Sequence, residues 1–164
     1  MKRLFTIGYE GASVDAFLAT LKQAGVDTLL DVREIPLSRR KGFSKTALRT
    51  SIEAAGIDYR HERSLGSPKP IRQRLHDDGD YDRFFESFGL YLKQQQPLLQ
   101  ELAATLRGGV ALMCYERDPA TCHRSIVARQ LELLTGLKTR HLGVMHDAEK
   151  SRACIGTGEG VSAA

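Results

Sequence analysis

The sequence predicts a single α/β domain of three layers, in which a mainly parallel sheet of about five strands is covered by helices on both faces. The chain has 164 residues, the size of one ordinary domain. Short apolar runs alternate along it with segments of helical periodicity. The apolar runs are nearly continuous, as is typical of strands buried on both faces, and such alternation favours a parallel sheet. We assign the domain to residues 1–147.

The first half of the chain alternates twice between strand and helix. Three short segments of this half are predicted strands: residues 4–8, 28–33 and 57–61. Ser13 is the predicted N-cap of a first helix, which Gly25 ends. Ser44 begins a second helix, and Gly56 stops it.

The second half begins with a loop and continues with helices. Residues 64–70 (SLGSPKP) are rich in Gly, Ser and Pro and are predicted to be a loop. Apolar residues at helical spacing predict two helices, over 84–92 and 98–106, on either side of Pro97. A strand, a helix and a strand complete the domain: residues 110–116, 124–135 and 139–144. The tail from residue 148 to 164 is small and polar, so we expect it to be mobile.

Composition and cysteine usage restrict the cellular context. No apolar run approaches the roughly 18 to 20 residues that a membrane span needs, and the first residues lack the pattern of a signal peptide. We expect a cytoplasmic protein with no membrane association. The chain has three cysteines, an odd number, and a domain of this size needs no covalent cross-link. Disulfides are therefore not expected.

Positive charge is concentrated in one segment. The net charge is +4 and the pI about 9.1, but residues 33–74 alone carry eleven Lys and Arg against four Asp and Glu, a net charge of +7. Such a segment is either a solvated basic face or a surface for an anion. The expected partner is nucleic acid or a small molecule that bears phosphate.

The candidate site lies where the predicted strands end. In parallel sheets, ligands bind beyond the carboxyl ends of the strands. Residues 8–11 follow the first strand, Asp31 and Arg33 end the second, and residues 116–124 follow the fourth. We expect these segments to converge on one edge of the sheet. The candidate binding residues are Gly8, Tyr9, Glu10, Arg33, Arg39, Arg40, Lys41 and Arg124.

The triplet Cys122, His123 and Arg124 carries the strongest chemical signal. It lies where a loop turns into a helix, and unpaired amides at a helix start favour anions and lower the pKa of a thiol. Arg124 could form two parallel hydrogen bonds to a phosphate or carboxylate. The alternative is structural: Thr121 caps the helix, Cys122 fills space, and Arg124 pairs with Asp31 or Glu116 to hold the loops together.

Three other candidate residues, Asp31, Arg33 and Tyr9, also have a structural alternative. Asp31 and Arg33 flank the buried Val32, so their side chains point to the same side of the strand. They could form a salt bridge, or the carboxylate could orient a water or hydroxyl group. Tyr9 could stack on a base or sugar, or pack against the loop of Pro36.

A metal centre is not expected. The candidate ligands would be Cys114, Cys122, His123 and His141, but the chain has no short Cys-x-x-Cys pair and seven residues separate the first two. Neighbouring side chains at 122 and 123 are also expected to point apart. Cys114 lies inside an apolar strand, where a free cysteine is usually a small hydrophobe. We predict neither a metal nor another cofactor.

Several motifs in one order also resemble a known family. TIGYEG, DVREIPLSRRKGF, a following LG, LMCYE and CHR are similar to motifs of the DUF488 family of uncharacterised bacterial and archaeal proteins, over residues 4 to about 143. The resemblance implies an α/β fold and a shared polar site, but no established reaction. Many relatives have His and Ser after the first Gly, where this chain has Tyr9 and Glu10, so no role of that His is carried over.

Three functions remain open at this level. The first is an enzyme that acts on the phosphate-bearing ligand, with Cys122 as nucleophile and acidic groups as acid or base. Its catalytic candidates are Cys122, Glu116, Asp31 and His123. The second is a binding module in which the same groups hold a nucleic acid without catalysis. The third is a thiol redox sensor at Cys122.

Overall fold

The predicted three-layer α/β architecture is confirmed. The computed structural model describes residues 1–145, and the tail predicted from residue 148 lies outside the described residues. The five strands are β1 (Arg3–Gly8), β2 (Thr28–Asp31), β3 (Asp58–His61), β4 (Gly109–Cys114) and β5 (Thr139–Leu142). The six α-helices of this part are α1 (Val14–Ala24), α2 (Lys45–Ala54), α3 (Lys69–Asp78), α4 (Tyr81–Lys93), α5 (Gln96–Thr105) and α6 (Arg124–Thr135).

The chain adds strands toward one edge of the sheet as far as β3 and then toward the other edge. The strand order is β3-β2-β4-β1-β5, and every described pair is parallel. The chain runs from β1 through β2 to β3 at one edge, returns to place β4 between β1 and β2, and ends with β5 at the other edge. The connections that follow β2 and β4 therefore run to opposite sides, which makes the carboxyl ends of these neighbouring strands a topological switch point.

Two apolar clusters hold the layers together. On one face of the sheet, α1 and α2 bury residues that include Phe17 and Leu48. On the other face, α4, α5 and α6 bury residues that include Phe88, Leu99 and Leu131. Each of these five helices covers the sheet with one apolar side, which removes that surface from water and provides the main stabilisation of the fold.

The predicted ends of the first two helices are largely correct. The Ser13 side chain accepts a hydrogen bond from the amide of Ala16 (3.2 Å), and Gly25 ends α1 with a left-handed backbone (φ 71°). Ser44 precedes α2 as predicted, but its side chain makes no cap hydrogen bond to the helix. Its hydroxyl instead accepts from the amide of Ser38 (3.0 Å) and therefore holds the basic loop.

Helix α3 was not predicted. It begins at Lys69, inside the segment 64–70 assigned to a loop, and it contains no buried residue. Because α3 has no apolar face, its sequence lacks the apolar periodicity from which the other helices were predicted. Pro97 also lies in the first turn of α5 and not between two helices, a position where its missing N–H costs no hydrogen bond.

None of the helices within residues 1–145 has both the length and the apolar character that crossing a bilayer requires.

Candidate functional site

The carboxyl edge of the sheet opens on a cleft of about 920 Å³. Residues that follow β1, β2 and β4 line it, together with the basic loop after β2 and the helices α3 and α4. Several of the predicted site residues are among those that line it: Tyr9, Arg33, Arg39, Arg40, Glu116 and His123. Asp31, Cys122 and Arg124 are at most 1% exposed and lie beneath this surface.

Asp31 and Arg33 form a buried ion pair at the end of β2. Asp31 accepts from Arg33 Nε through Oδ1 (2.9 Å) and from Arg33 Nη2 through Oδ2 (2.7 Å). The hydroxyl of Tyr59 on β3 donates to the same Oδ2 (2.5 Å). Burial opposes the charge of Arg33, but the bonds and charge of Asp31 outweigh it and raise the pKa of the guanidinium. The salt-bridge interpretation is therefore the one observed.

Arg33 also ties the end of β2 to the basic loop. Its Nη1 donates to the carbonyl of Phe43 (2.7 Å) and to the hydroxyl of Tyr9 (3.2 Å). The Tyr9 ring is 2% exposed, stacks on Phe43 with centroids 4.5 Å apart, and meets Tyr115 edge-on. Tyr9 thus packs against the basic loop, as one interpretation predicted, through its stacking on Phe43.

Gly8 and Glu10 fix the loop that follows β4. A Cβ atom at Gly8 would lie 1.9 Å from the carbonyl oxygen of Glu116, so only glycine allows β1 and this loop to approach so closely. The amide of Glu10 donates to Tyr115 O (2.8 Å), and its carboxylate accepts from the amide of Arg117 (3.2 Å). Both residues therefore position the walls of the cleft.

Arg124, the first residue of α6, is buried beneath the same loop. Its Nη1 donates to the Glu116 carbonyl and lies 3.1 Å from Cys114 Sγ, while Nη2 donates to Arg117 O (3.2 Å). Its Nε has no hydrogen-bond partner among residues 1–145. Burial lowers the pKa of Arg124 to about 10, against the opposing charge of Glu116. The guanidinium holds the loop in place through backbone carbonyls.

His123 is held in one orientation. Its Nε2 lies 2.8 Å from the carbonyl oxygen of Val32, and because a carbonyl only accepts, Nε2 carries the proton. The other nitrogen, Nδ1, lies 3.8 Å from Cys122 Sγ. Burial lowers the pKa of His123 to about 4, although the bond to Val32 opposes this. The ring is therefore neutral near pH 7, with Nδ1 as an acceptor.

Cys114 and Cys122 form a disulfide, so the expectation of no disulfide is wrong. Cys114 ends β4, and the loop from 115 to 121 returns the chain to Cys114 just before α6 begins.

The expectation that side chains 122 and 123 point apart is also wrong. Cys122 is extended and His123 helical, so the alternation of a strand does not apply to them. Both sulfurs and a ring nitrogen of His123 lie within 4.8 Å of one another, a group that could hold a metal ion.

Glu116 is the acidic group of the β4 loop that faces the cleft. Its Oε2 lies 3.2 Å from Cys114 Sγ. Burial raises the pKa of the carboxyl, while the charge of Arg124 partly offsets the effect. A carboxyl with a raised pKa is suited to general acid or base chemistry.

The basic loop contributes to the cleft unequally. Arg39 and Arg40 line it, whereas Lys41 lies with Arg40 on an adjoining depression of the surface. Nε of Arg40 donates to the carbonyl of Ala12. The loop therefore brings two of its three consecutive cations to the cleft.

Helices α3 and α4 supply residues that the sequence analysis missed. Arg72, Leu75 and His76 of α3 line the cleft, as do Tyr81 and Phe84 of α4. The Arg72 guanidinium lies 3.5 Å from the Glu34 carboxylate. The spacing of 72, 75 and 76 is that of one helical face, and this spacing is the signal that could have identified them.

Comparison with known proteins gives one match. A family model described as "Domain of unknown function DUF488" matches residues 13–131. No curated protein and no solved structure matches the chain. The matched segment begins just before α1, ends within α6, and includes the basic loop, β4 and the Cys-His-Arg triplet. The chain is thus a member of the DUF488 family.

Proposed function

We propose that the protein binds a phosphate-bearing ligand, nucleic acid or a nucleotide, in the cleft at the carboxyl edge of the sheet. The observation that carries the proposal is the combination of arginines and aromatic rings around a cleft at the switch point of a parallel sheet. Ligands of such sheets bind at this position. Cations attract phosphate, and aromatic rings accept stacked bases.

The charge around the cleft supports an anionic ligand. Arg39, Arg40 and Arg72 line it and belong to the segment with a net charge of +7. Two carboxyl groups, Glu34 and Glu116, also line the cleft. Glu34 pairs with Arg72, and burial raises the pKa of Glu116, so the acidic groups reduce the positive potential only in part.

The aromatic rings favour a ligand that carries a base. Tyr81 and Tyr115 line the cleft and are 43% and 47% exposed. Exposed tyrosines at a basic surface offer a face for stacking, at about 1 to 3 kcal/mol for each stacked base. A phosphate alone would use the arginines, whereas a nucleotide or nucleic acid would use both groups.

Catalysis at the cleft would depend on a subset of the predicted residues. Glu116 and His123 line the cleft, and we assign them the roles of acid or base and of hydrogen-bond acceptor. The oxygens of Asp31 are engaged by Arg33 and Tyr59. Cys122 has no thiol in the disulfide form, so its role as a nucleophile would require reduction.

Thiol redox chemistry is a second candidate, favoured by the Cys114–Cys122 disulfide. A redox-active cysteine is often placed beside a second cysteine that resolves it. In this alternative, oxidation joins the end of β4 to the start of α6, and reduction releases them.

Equilibrium binding of the wild-type protein tests the main proposal. Fluorescence anisotropy is measured with labelled single-stranded DNA, single-stranded RNA and duplex DNA of equal length, at several salt concentrations. We expect binding that weakens as salt increases, and competition by unlabelled nucleotides that exceeds competition by inorganic phosphate. If none of the oligomers binds at low salt and no nucleotide binds in calorimetry, the proposal is wrong.

A further inference from the structure

We propose that Cys114, Cys122 and His123 form, when the cysteines are reduced, a binding site for one Zn²⁺ ion. The two Sγ atoms and a ring nitrogen of His123 all lie within 4.8 Å of one another, and Nδ1 lies 3.8 Å from Cys122 Sγ. The three residues are buried, with exposures of 1%, 1% and 8%. Thiolate sulfur and imidazole nitrogen are the ligands that Zn²⁺ prefers in proteins. This inference does not rest on the proposed binding of phosphate.

The backbone brings the ligands together from two elements. Cys114 is the last residue of β4, and Cys122 and His123 immediately precede α6. The Cα atoms of the two cysteines lie 7.5 Å apart, and their sulfur atoms meet between the end of β4 and the start of α6. This separation suits two side chains that converge on a common ion.

The orientation of His123 is an independent observation in favour of the site. Its Nε2 is bound to the carbonyl of Val32 (2.8 Å), and Nδ1 faces Cys122 Sγ (3.8 Å). Histidines that bind metals commonly donate their second ring N–H to a backbone carbonyl or a carboxylate, which fixes the tautomer and the direction of the ring. The bond to Val32 provides this arrangement.

The surrounding charges suit a bound ion. Two thiolates neutralise the formal charge of Zn²⁺, so burial of the complex carries a small electrostatic cost. Arg124 Nη1 lies 3.1 Å from Cys114 Sγ and can donate to that thiolate. Glu116 Oε2 lies 3.2 Å from the same sulfur, and Glu116 lines the cleft. Glu116 therefore lies beside the ligand Cys114 and also reaches the cleft.

Metal binding requires reduction, because a disulfide offers no thiolate. A phosphine reductant and one water convert the disulfide into two thiols, and the phosphine is oxidised to its oxide. Zn²⁺ then replaces the thiol protons, so binding releases up to two protons. The oxidised and reduced forms of the same chain are consequently matched controls for each other.

The first experiment uses the wild-type full-length protein in both forms. Each form is loaded with Zn²⁺, dialysed against metal-free buffer, and analysed for metal by mass spectrometry. We expect one ion per reduced chain and none per oxidised chain. Replacement by Co²⁺ should give the absorption of charge transfer from thiolate to cobalt. Equal metal content of the two forms, or Co²⁺ bound without that absorption, would overturn the proposal.

A second experiment identifies the ligands without relying on a variant that folds. Reduced wild-type protein is alkylated with and without Zn²⁺, and the modified peptides are mapped. We expect Zn²⁺ to protect Cys114 and Cys122 and to leave the labelling of Cys154 unchanged. Equal labelling of all three cysteines in both conditions contradicts the site.

Variants then test the individual ligands. Cys122→Ser and His123→Gln should lose the bound ion, whereas Cys154→Ser and His141→Gln, which remove the same groups elsewhere in the sequence, should retain it. If both single variants, Cys122→Ser and His123→Gln, still retained one ion, the assignment of the ligands would be overturned.

Discussion

At the scale of single residues, Asp31 illustrates how a polar group in the site can serve the fold. Its carboxylate accepts four hydrogen bonds, three from Arg33 and one from Tyr59. Because successive side chains of a strand point to opposite faces, the side chains of Asp31 and Arg33 were predicted to lie on the same face of the sheet. The contribution of Tyr59 could not be predicted, because the sequence does not reveal which strand lies next to β2.

The variant Asp31→Asn tests this interpretation. It leaves the buried Arg33 cation without its counter-charge, and loss of one partner of a buried pair costs about 3 to 5 kcal/mol. We expect the free energy of unfolding, measured with urea, to fall by that amount. Asp58→Asn, at an exposed position of β3, is the control and should change it by less than about 0.5 kcal/mol. An unfolding free energy of Asp31→Asn equal to that of the control would return Asp31 to the catalytic candidates.

At the scale of elements, the loop after β4 depends on the end of β1. The Gly8 backbone contacts the Glu116 carbonyl, and Glu10 bonds to the amide of Arg117. The convergence of these segments followed from the predicted strands, because the carboxyl ends of parallel strands meet at one edge. The close approach at Gly8 did not, since it depends on β4 lying beside β1.

The variant Gly8→Ala should displace this loop. Its Cβ atom would lie 1.9 Å from the Glu116 oxygen, and overpacking of this kind typically costs about 1 to 3 kcal/mol. We expect a lower melting temperature by scanning calorimetry. The control is Gly143→Ala, where an added Cβ would meet no atom within 4 Å. Identical melting temperatures of the two variants would show that the contact at Gly8 has no structural role.

Helix α3 shows where sequence patterns fail at this scale. The helices that bury an apolar face, such as α1 and α6, were predicted with nearly correct limits. Helix α3 buries no residue, so only its helical spacing of polar groups could have indicated it. Because α3 was not predicted, Arg72 and His76 were not among the predicted site residues, although both line the cleft.

At the scale of the whole molecule, the disulfide depends on tertiary structure that composition cannot reveal. The two cysteines are 8 residues apart in sequence, whereas the size of the domain and its odd number of cysteines predicted no disulfide. The loop between them returns to the end of β4 only because α6 must pack on the sheet. The α/β class, in contrast, followed from alternation along the whole chain.

Thiol counting tests the disulfide directly. We expect the denatured protein to have two more reactive thiols after treatment with a phosphine than before it. Reduction in the presence of a chelator should lower the free energy of unfolding by about 2 to 3 kcal/mol, from the chain entropy of a loop of this length. An unchanged thiol count would mean that the two cysteines are not joined in solution.

The binding of phosphate is the central claim, and a charge variant with a matched control tests it. The variant replaces Arg39, Arg40 and Arg72, which line the cleft, with Ala. The control replaces Lys22, Arg107 and Lys138 with Ala. These three residues lie at the end of α1 and just before β4 and β5, at the opposite edge of the sheet. Both variants remove three positive charges, so net charge alone cannot distinguish them.

The most direct measurement is the slope of log affinity against log salt concentration, obtained by anisotropy with duplex and single-stranded oligomers. Each lost phosphate contact flattens the slope by about 0.9 on B-form DNA and about 0.7 on single strands. We therefore expect the cleft variant to flatten it by roughly 2 to 3 units on duplex DNA and about 2 units on single strands. The control should keep the wild-type slope, and neither variant should change sequence preference. Equal slopes for wild type, cleft variant and control would contradict the claim that the cleft binds phosphate.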